Sequence, residues 1–245
     1  MFEKIKISDE HTIFENMVKD LDHEVSWAIE TATQKTITTY NSWQNRSPIK
    51  RFANIFQGDL AKNILNSFFK EKKLYTEEYD KIRTDNFKHH DKFDLKILKN
   101  GFVEIEVKSS FEKKFTDIRD IFKERNIIIN GRGPHCKITE ICYQIFFYTD
   151  PQNLTFFGNE DSWPGTTRLD KDLCNKYVME FVKNVRMCIC GFVNKEQQMK
   201  ALQKPFCVSD NSRGIHSHTY GSFPLIETQS PEKILELLRS LEPQR

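Results

Sequence analysis

The 245-residue sequence contains no run of eighteen or more apolar residues, and a membrane-spanning helix, which needs about 20 of them, is therefore not expected. Its first ten residues, MFEKIKISDE, lack the apolar segment of a secretory signal. The six cysteines do not have the spacing of a disulfide framework, so we expect them to be reduced and mostly buried. These absences predict a cytoplasmic protein with no membrane partner.

Several catalytic motifs are also missing. The phosphate-binding loop GxxxxGK[ST] is absent, and Gly131-Arg132-Gly133 lacks the third glycine of a dinucleotide-binding loop. We therefore expect no nucleotide cofactor. The GxSxG elbow of serine hydrolases and the HExxH helix of metalloproteases are absent as well.

The composition is that of a polar globular protein, with 38% hydrophobic and 29% charged residues. The length fits one domain, or one domain with a helical extension. The net charge of +2 does not mark the whole chain as a polyanion binder. Residues 183–221, however, carry six Lys or Arg against two acidic residues, and a local excess of this kind is what phosphate contacts require.

The most informative stretch is Phe93 to Ser110, in which two alternating runs flank a turn. Asn100-Gly101 supplies the positive-φ residues that a tight two-residue hairpin turn needs. Period-two geometry places Glu104, Glu106 and Lys108 on one face of the second predicted strand. The stretch therefore predicts a β-hairpin with charged groups along one face.

Asp94 belongs to the first strand of this hairpin, and pairing brings it near Glu106 and Lys108. Mg²⁺ binds hard oxygen ligands, typically one or two carboxylates together with water and phosphate oxygens. A neighbouring lysine orients water and offsets charge that develops on phosphate. The alternative is an ordinary hairpin with a solvated charged face, and the Glu-x-Lys tripeptide alone favours that alternative.

Asp94, followed after eleven residues by Glu106-Val107-Lys108, resembles the signature of the PD-(D/E)XK nuclease superfamily. The proline of that name is missing, since Phe93 precedes Asp94. The stretch from Glu106 to Ser110 is similar to the EVKSS-type strand end of type II restriction endonucleases. The resemblance covers roughly residues 52–193.

The resemblance implies an endonuclease that hydrolyses double-stranded DNA with Mg²⁺, for which Mn²⁺ can substitute. Asp94, Glu106 and the carbonyl of Val107 would then hold the metal, and Lys108 would position the attacking water. A type II restriction enzyme that acts as a homodimer on a palindromic site is the subtype implied. Two alternatives are a non-catalytic nucleic-acid-binding or regulatory protein on the same fold, and an RNA-directed nuclease.

Three further residues are accessory candidates. The apolar pattern predicts a helix over 52–69, and the equivalent helix in the superfamily often directs Glu or Gln toward the metal, which selects Gln57 and Asp59. A solvent-facing position is an equally good interpretation of Gln57. Glu104 is a candidate for a second ion or an ordinary surface group. Gly58, which costs about 1 kcal/mol relative to Ala inside a helix, indicates close packing or an N-terminal position.

DNA contacts are predicted in two segments that contain basic residues, although such segments are also typical of ordinary loops and solvated surfaces. The loop 130–137 supplies Arg132, His135 and Lys137, and the stretch 183–221 supplies Arg213.

Histidines and cysteines add two weaker candidate sites. His89 and His90 precede Asp94 and are candidates for an extra ligand or proton shuttle. Cys188 and Cys190, together with His216 and His218, have the residue types of a zinc site. Buried strand cysteines beside a basic loop are the favoured interpretation.

The overall pattern predicts an α/β fold, with a helical N-terminal segment over 1–48 and a nuclease-like domain over 49–245 built on a central mixed sheet flanked by helices. Helical spacing begins near Ile13, with Asp9 or Thr12 as the cap. The pattern further predicts helices over 111–126, 170–183, 195–202 and 231–241, and strands over 74–75, 127–129, 154–158 and 186–193. The aromatic stretch 138–149 fits either a strand or a buried helix.

Overall fold

The computed structural model describes residues 2–38, 47–87, 91, 93–98, 102–132, 138–154, 163, 168–209 and 217–240. Residues 131–132, 207–209, 217–219 and 240 are described as backbone only.

The described part of the chain contains ten strands. They are β1 (Glu3–Lys6), β2 (Thr12–Met17), β3 (Thr76–Glu78), β4 (Leu95–Leu98), β5 (Phe102–Glu112), β6 (Asn126–Arg132), β7 (Ile141–Tyr148), β8 (Arg186–Asn194), β9 (Phe206–Ser209) and β10 (Ser217–Pro224). The α-helices are α1 (Asp22–Thr38), α2 (Pro48–Glu71), α3 (Tyr79–Ile82), α4 (Ile118–Glu124), α5 (Lys171–Asn184), α6 (Lys195–Ala201) and α7 (Ile234–Ser240).

Seven of these strands form one sheet in the order β1-β2-β8-β7-β5-β4-β3. Strands β5 and β7 pair in parallel, and the other described pairings in this sheet are antiparallel. A second, three-stranded antiparallel sheet has the order β6-β10-β9. The predicted α/β fold with a central mixed sheet flanked by helices is therefore confirmed.

Apolar side chains pack on both faces of the central sheet. Strand β7 shows this directly, because Tyr143 and Phe147 point into one core and Cys142 and Phe146 into the other. The first core joins the sheet to α1, α2 and α5. The second core joins it to α4, β6 and the end of β10. A strand buried on both faces loses the polar alternation of a half-exposed strand, which explains why 138–149 also fitted a helix.

Helix α2 is the main apolar element of the first core. Ser47 caps its start by accepting a hydrogen bond from the Lys50 amide, and Pro48 occupies the first turn, where the lack of an N–H has no cost. Phe56 and Leu60 are fully buried on its inner face. The helix packs against β5, α1 and α5, and it therefore forms the support behind the predicted hairpin.

The prediction of a helix near the N-terminus was correct for Asp22–Thr38 and wrong before it. Residues Thr12–Met17 form β2, which pairs with β1 and β8. Ile13 packs into the second core and Phe14 into the first. Two successive apolar residues on opposite faces fit a strand buried on both sides as well as one turn of a helix. Asp9 and Thr12 consequently cap no helix.

The predicted hairpin is present, with small changes of boundary. Leu98 pairs with Phe102, so three residues, rather than the predicted two, separate the paired ends, and these lie outside the described residues. The strand predicted at 74–75 lies slightly later, as β3. Strand β5 continues to Glu112, and the helix predicted over 111–126 begins only after Asp117, whose carboxylate caps it by accepting from the Arg119 amide.

The predictions in the second half of the chain mostly agree with the structure. Strands β6 and β8 and helices α5 and α6 occupy the predicted regions. The segment predicted to be helical over 231–241 begins with a 3₁₀ turn and continues as α7. The strand predicted over 154–158 lies, apart from Leu154, outside the described residues.

Two glycines have opposite surroundings. At Gly191 a β-bulge inserts Cys190 between the residues paired with Gln144 and Ile145. A Cβ atom added to Gly191, which has φ +156°, would lie 2.6 Å from the Gln229 carbonyl oxygen. Gly58 lies inside α2, and no described atom comes within 4 Å of its added Cβ. The expected close packing at Gly58 is therefore not found.

We predict that alanine has opposite effects at these two positions. Gly191→Ala should lower the free energy of unfolding by about 1 to 3 kcal/mol, because the new methyl group meets rigid backbone. Gly58→Ala should raise it by about 0.5 to 1 kcal/mol, because a helix interior favours Ala over Gly. Urea unfolding of both variants beside the wild type measures the two changes. Shifts of the same sign would contradict the prediction.

Candidate active site

Backbone pairing places the Asp94 carboxylate against β5. The Asp94 amide donates to the Ile105 carbonyl at 3.2 Å, and the Val107 amide donates to Asp94 Oδ2 at 2.7 Å. The carboxylate thus lies at the residue between Glu106 and Lys108. The predicted approach of Asp94 to these two residues is present in the structure.

Glu106 and Lys108 form an ion pair on one face of β5. Lys108 Nζ donates to Glu106 Oε1 at 2.7 Å, and the two side chains are 21% and 14% exposed, respectively. The second oxygen, Glu106 Oε2, is buried and has no hydrogen-bond partner among the described residues. Buried polar atoms nearly always have a partner, so this oxygen is available to a cation.

The electrostatics keep Lys108 charged. Burial by itself lowers the pKa of Lys108, but the negative charges of Glu106 and Asp94 outweigh it and raise the pKa above its ordinary value. Cys142 pairs with Glu106 across β5 and β7. Burial, assisted by Glu106 and opposed by Lys108, raises the pKa of the Cys142 thiol to about 12. The thiol is therefore neutral near pH 7, which argues against Cys142 as a nucleophile.

The accessory candidates have other contacts. Gln57 Nε2 donates to the hydroxyl of Tyr177 at 2.8 Å, which ties α2 to α5. Glu104 lies 3.4 Å from Lys96 Nζ on the neighbouring strand. No described contact brings either side chain to Asp94 or Glu106.

Asp59 belongs to a buried ion cluster, formed by Lys35, Asp59, Lys62, Asp80 and Arg83. Lys35 Nζ lies 2.7 Å from both Asp59 and Asp80, and Lys62 contacts the same two carboxylates. Arg83 lies 3.3 Å from Asp80. These five side chains are at most 11% exposed. The cluster ties α1, α2 and α3 together.

The ion cluster extends electrostatically toward the site. Burial lowers the pKa of Lys62, but Asp59, Asp80 and then Asp94 raise it well above its ordinary value. Asp59 Oδ2 is buried and has no partner among the described residues. Lys62 therefore contacts the Asp59 carboxylate and also senses the charge of Asp94 in the candidate site.

Sequence reasoning missed this cluster, although a signal was present. Lys35 follows Val25, Ala28 and Ala32 at helical spacing, on the buried side of α1. A charge in such a stripe requires a buried partner. The pairing itself was not predictable, because it depends on how α1 packs against α2.

Most of the predicted DNA contacts lie outside the described residues. His135, Lys137 and Arg213 are in this group, and Arg132 is described only as backbone in β6. His89 and His90, the candidates for an extra metal ligand or proton shuttle, also lie outside the described residues.

The cysteines of the alternative zinc site are part of a core. Cys188 and Cys190 are fully buried in the second core. His216 lies outside the described residues, and His218 is described only as backbone.

Among the described residues, no group of three or more His, Cys, Asp or Glu side chains has an arrangement suited to a metal ion. Among the described residues, the candidate site therefore has two carboxylates, those of Asp94 and Glu106. None of the described helices has the length and apolar character needed to cross a membrane.

Comparison of the chain with protein-family models, curated proteins and solved structures finds no match.

We predict that Asp80 stabilises the fold in a pH-dependent way. Burial raises its pKa, but Lys62 and Lys35 outweigh burial and lower it well below the ordinary value of 3.8. A depressed pKa contributes stability above the ordinary pKa and loses it as pH falls toward the folded-state pKa. Asp80→Asn should therefore cost about 3 to 5 kcal/mol at pH 7, because it leaves buried lysine charge uncompensated.

Urea unfolding of the wild type and Asp80→Asn between pH 7 and acid tests this prediction. The difference in free energy of unfolding between the two proteins should become smaller below about pH 4, where Asp80 of the unfolded state takes up its proton. The exposed Asp9, whose side chain is 96% exposed, provides the control variant Asp9→Asn. A constant difference at all pH values would contradict the electrostatic explanation.

Proposed function

We propose that the protein is a Mg²⁺-dependent endonuclease that hydrolyses phosphodiester bonds of double-stranded DNA, of the type II restriction class. One observation carries the proposal. The Asp94 carboxylate is fixed at the Val107 amide, between Glu106, which has a partnerless buried oxygen, and a charged Lys108. We further propose that it acts on cytoplasmic DNA as a homodimer, since a two-fold axis matches a palindromic site.

The residues present fit a hard divalent cation. Asp94, Glu106 and the carbonyl of Val107 would hold Mg²⁺ or Mn²⁺, and the partnerless Glu106 Oε2 is the atom that most needs one. Mg²⁺ retains several waters, so two carboxylates suffice in a phosphate site. Such an ion, when bound, polarises a phosphate oxygen and lowers the pKa of a bound water.

Lys108 acts as a fixed positive charge in this proposal. Its ammonium has three donors and no acceptor, and one donor is held by Glu106 Oε1. The remaining two can donate to the attacking water or to a phosphate oxygen. An ammonium is a donor only and does not act as a general base. Lys108 positions the water and offsets negative charge on the scissile phosphate.

The order of elements supports the same proposal. Helix α2 precedes the antiparallel strands β3, β4 and β5, and α4 then leads through β6 to β7, which runs parallel to β5. This agrees with the helix, hairpin, helix and strand order of the nuclease core that the sequence resembles.

A non-catalytic nucleic-acid-binding protein on the same fold is the second candidate. It is favoured by the absence of a third carboxylate beside Asp94 and Glu106 among the described residues.

DNA cleavage tests the proposal directly. Wild type incubated with Mg²⁺ and unmethylated mixed-sequence duplex DNA should produce discrete fragments, and Lys108→Ala should lower the rate by about 100-fold or more, because charge on the phosphate is no longer offset. Lys113, an exposed lysine directly after the end of β5, provides the control Lys113→Ala, which should retain full activity. RNA incubated in parallel tests the RNA-directed alternative. If the wild type cleaves neither the DNA nor the RNA, the non-catalytic nucleic-acid-binding candidate is favoured.

Thermal unfolding separates metal binding from catalysis. A free Mg²⁺ concentration of about one hundred times Kd should stabilise the wild type by about 2.7 kcal/mol. Asp94→Ala should abolish this stabilisation, whereas Lys108→Ala should retain it. The exposed Asp9 lies in the turn between β1 and β2, at the opposite edge of the sheet, so Asp9→Ala is the matched control. An equal Mg²⁺ shift in Asp94→Ala would refute the assigned ligand set.

A further inference from the structure

An exposed apolar row lies at one edge of the sheet, on β4, on β5 and at the residue just before β3. Tyr75, Leu98 and Phe102 are 81%, 49% and 62% exposed. Leu98 pairs with Phe102, and the Leu98 amide donates to the Tyr75 carbonyl at 2.9 Å. The three residues, called here the apolar row, are therefore cross-strand neighbours on one face.

The apolar row lies on the same face as the candidate site. Glu106 lies four positions after Phe102 along the regularly paired strand, and side chains at even spacing share a face. The distance along the strand is about 14 Å. A strand of DNA advances about 3.4 Å per stacked nucleotide, so this distance corresponds to at most about four nucleotides.

The charges around the row favour bases rather than phosphates as the bound groups. The next row toward the site contains Glu77, Lys96 and Glu104 in register, and its two carboxylates would repel a phosphate backbone. Lys96 Nζ lies 4.4 Å from the centre of the Phe102 ring and 3.4 Å from Glu104, so its charge is already engaged. Carboxylates accept hydrogen bonds from the amino groups of bases, and exposed rings on a sheet face stack on bases.

We propose that Tyr75 and Phe102 stack on unpaired bases of the DNA strand held at the candidate site, at most about four nucleotides from the scissile phosphate. The inference rests on the proposed nuclease function and narrows its substrate class. The preferred substrate is then a duplex that carries unpaired nucleotides close to the cut, such as a single-stranded tail, and this would replace the fully paired palindromic site of the restriction subtype.

Binding measurements in the Lys108→Ala background, with Mg²⁺ present, test the inference without cleavage. The probes are a labelled blunt duplex of mixed sequence and the same duplex with a single-stranded tail, followed by fluorescence anisotropy. The tailed duplex should bind more tightly. Tyr75→Ala and Phe102→Ala should each weaken its binding by about fivefold to hundredfold, the usual range for one base–aromatic stack.

Matched variants distinguish stacking from a general surface effect. Tyr75→Phe and Phe102→Tyr keep a ring and should retain the affinity for the tailed duplex. Met179 on α5 is 72% exposed. Met179→Ala is the control, because it removes exposed apolar surface outside the apolar row and should leave the affinity for the tailed duplex unchanged. The blunt duplex should bind equally to all of these variants.

Three outcomes would overturn the inference. Equal affinity of the ring variants and their parent for the tailed duplex, in a protein that cleaves duplex DNA, would remove the stacking role and leave the proposed nuclease function standing. A change of sedimentation coefficient on ring removal, with unchanged DNA affinity, would assign the row to contact with a second copy of the chain. Failure of the wild type to cleave or bind either DNA would overturn both proposals.

Discussion

The register of β4 against β5 is the constraint on which the candidate site depends. Asp94 lies just before β4, and only the observed pairing of Leu95 with Ile105 presents its carboxylate to the Val107 amide. A slip by one residue would exchange the two faces of β4. Leu95 and Ile97, both fully buried, would then be exposed to water, so the hydrophobic effect that folds the hairpin also fixes the position of a functional carboxylate.

The two faces of the central sheet are covered differently. The first core covers one face with α1, α2 and α5, and the second core covers the middle of the other face. Among the described residues, β4 and the start of β5 carry half-buried or exposed side chains on that second face, such as Lys96, Phe102 and Glu104, and the Glu106 side chain beyond them is 14% exposed. A carboxylate in such a position is partly desolvated, which strengthens its electrostatic interactions.

The sequence pattern predicts the structure correctly where a strand has one exposed face. It fails where a segment is buried on all sides. The alternation around Glu106 and Lys108 predicted a hairpin and the approach of Asp94, because one polar face makes period two visible. The apolar spacing predicts a helix where β2 lies, because Ile13 and Phe14 are both apolar. The ion cluster around Lys62 was not predicted, because its partners come from three helices whose mutual packing is a tertiary property.

That cluster has a consequence for how this protein can change over generations. Asp59, Lys62 and Asp80 compensate one another inside the protein, and loss of one partner leaves a buried charge without its counterpart. Replacement of a whole buried ionic group by apolar residues of similar volume, in contrast, is often neutral or stabilising. The charged residues between α1, α2 and α3 can therefore be substituted together but not one at a time. In related sequences, we expect substitutions at these positions to occur together.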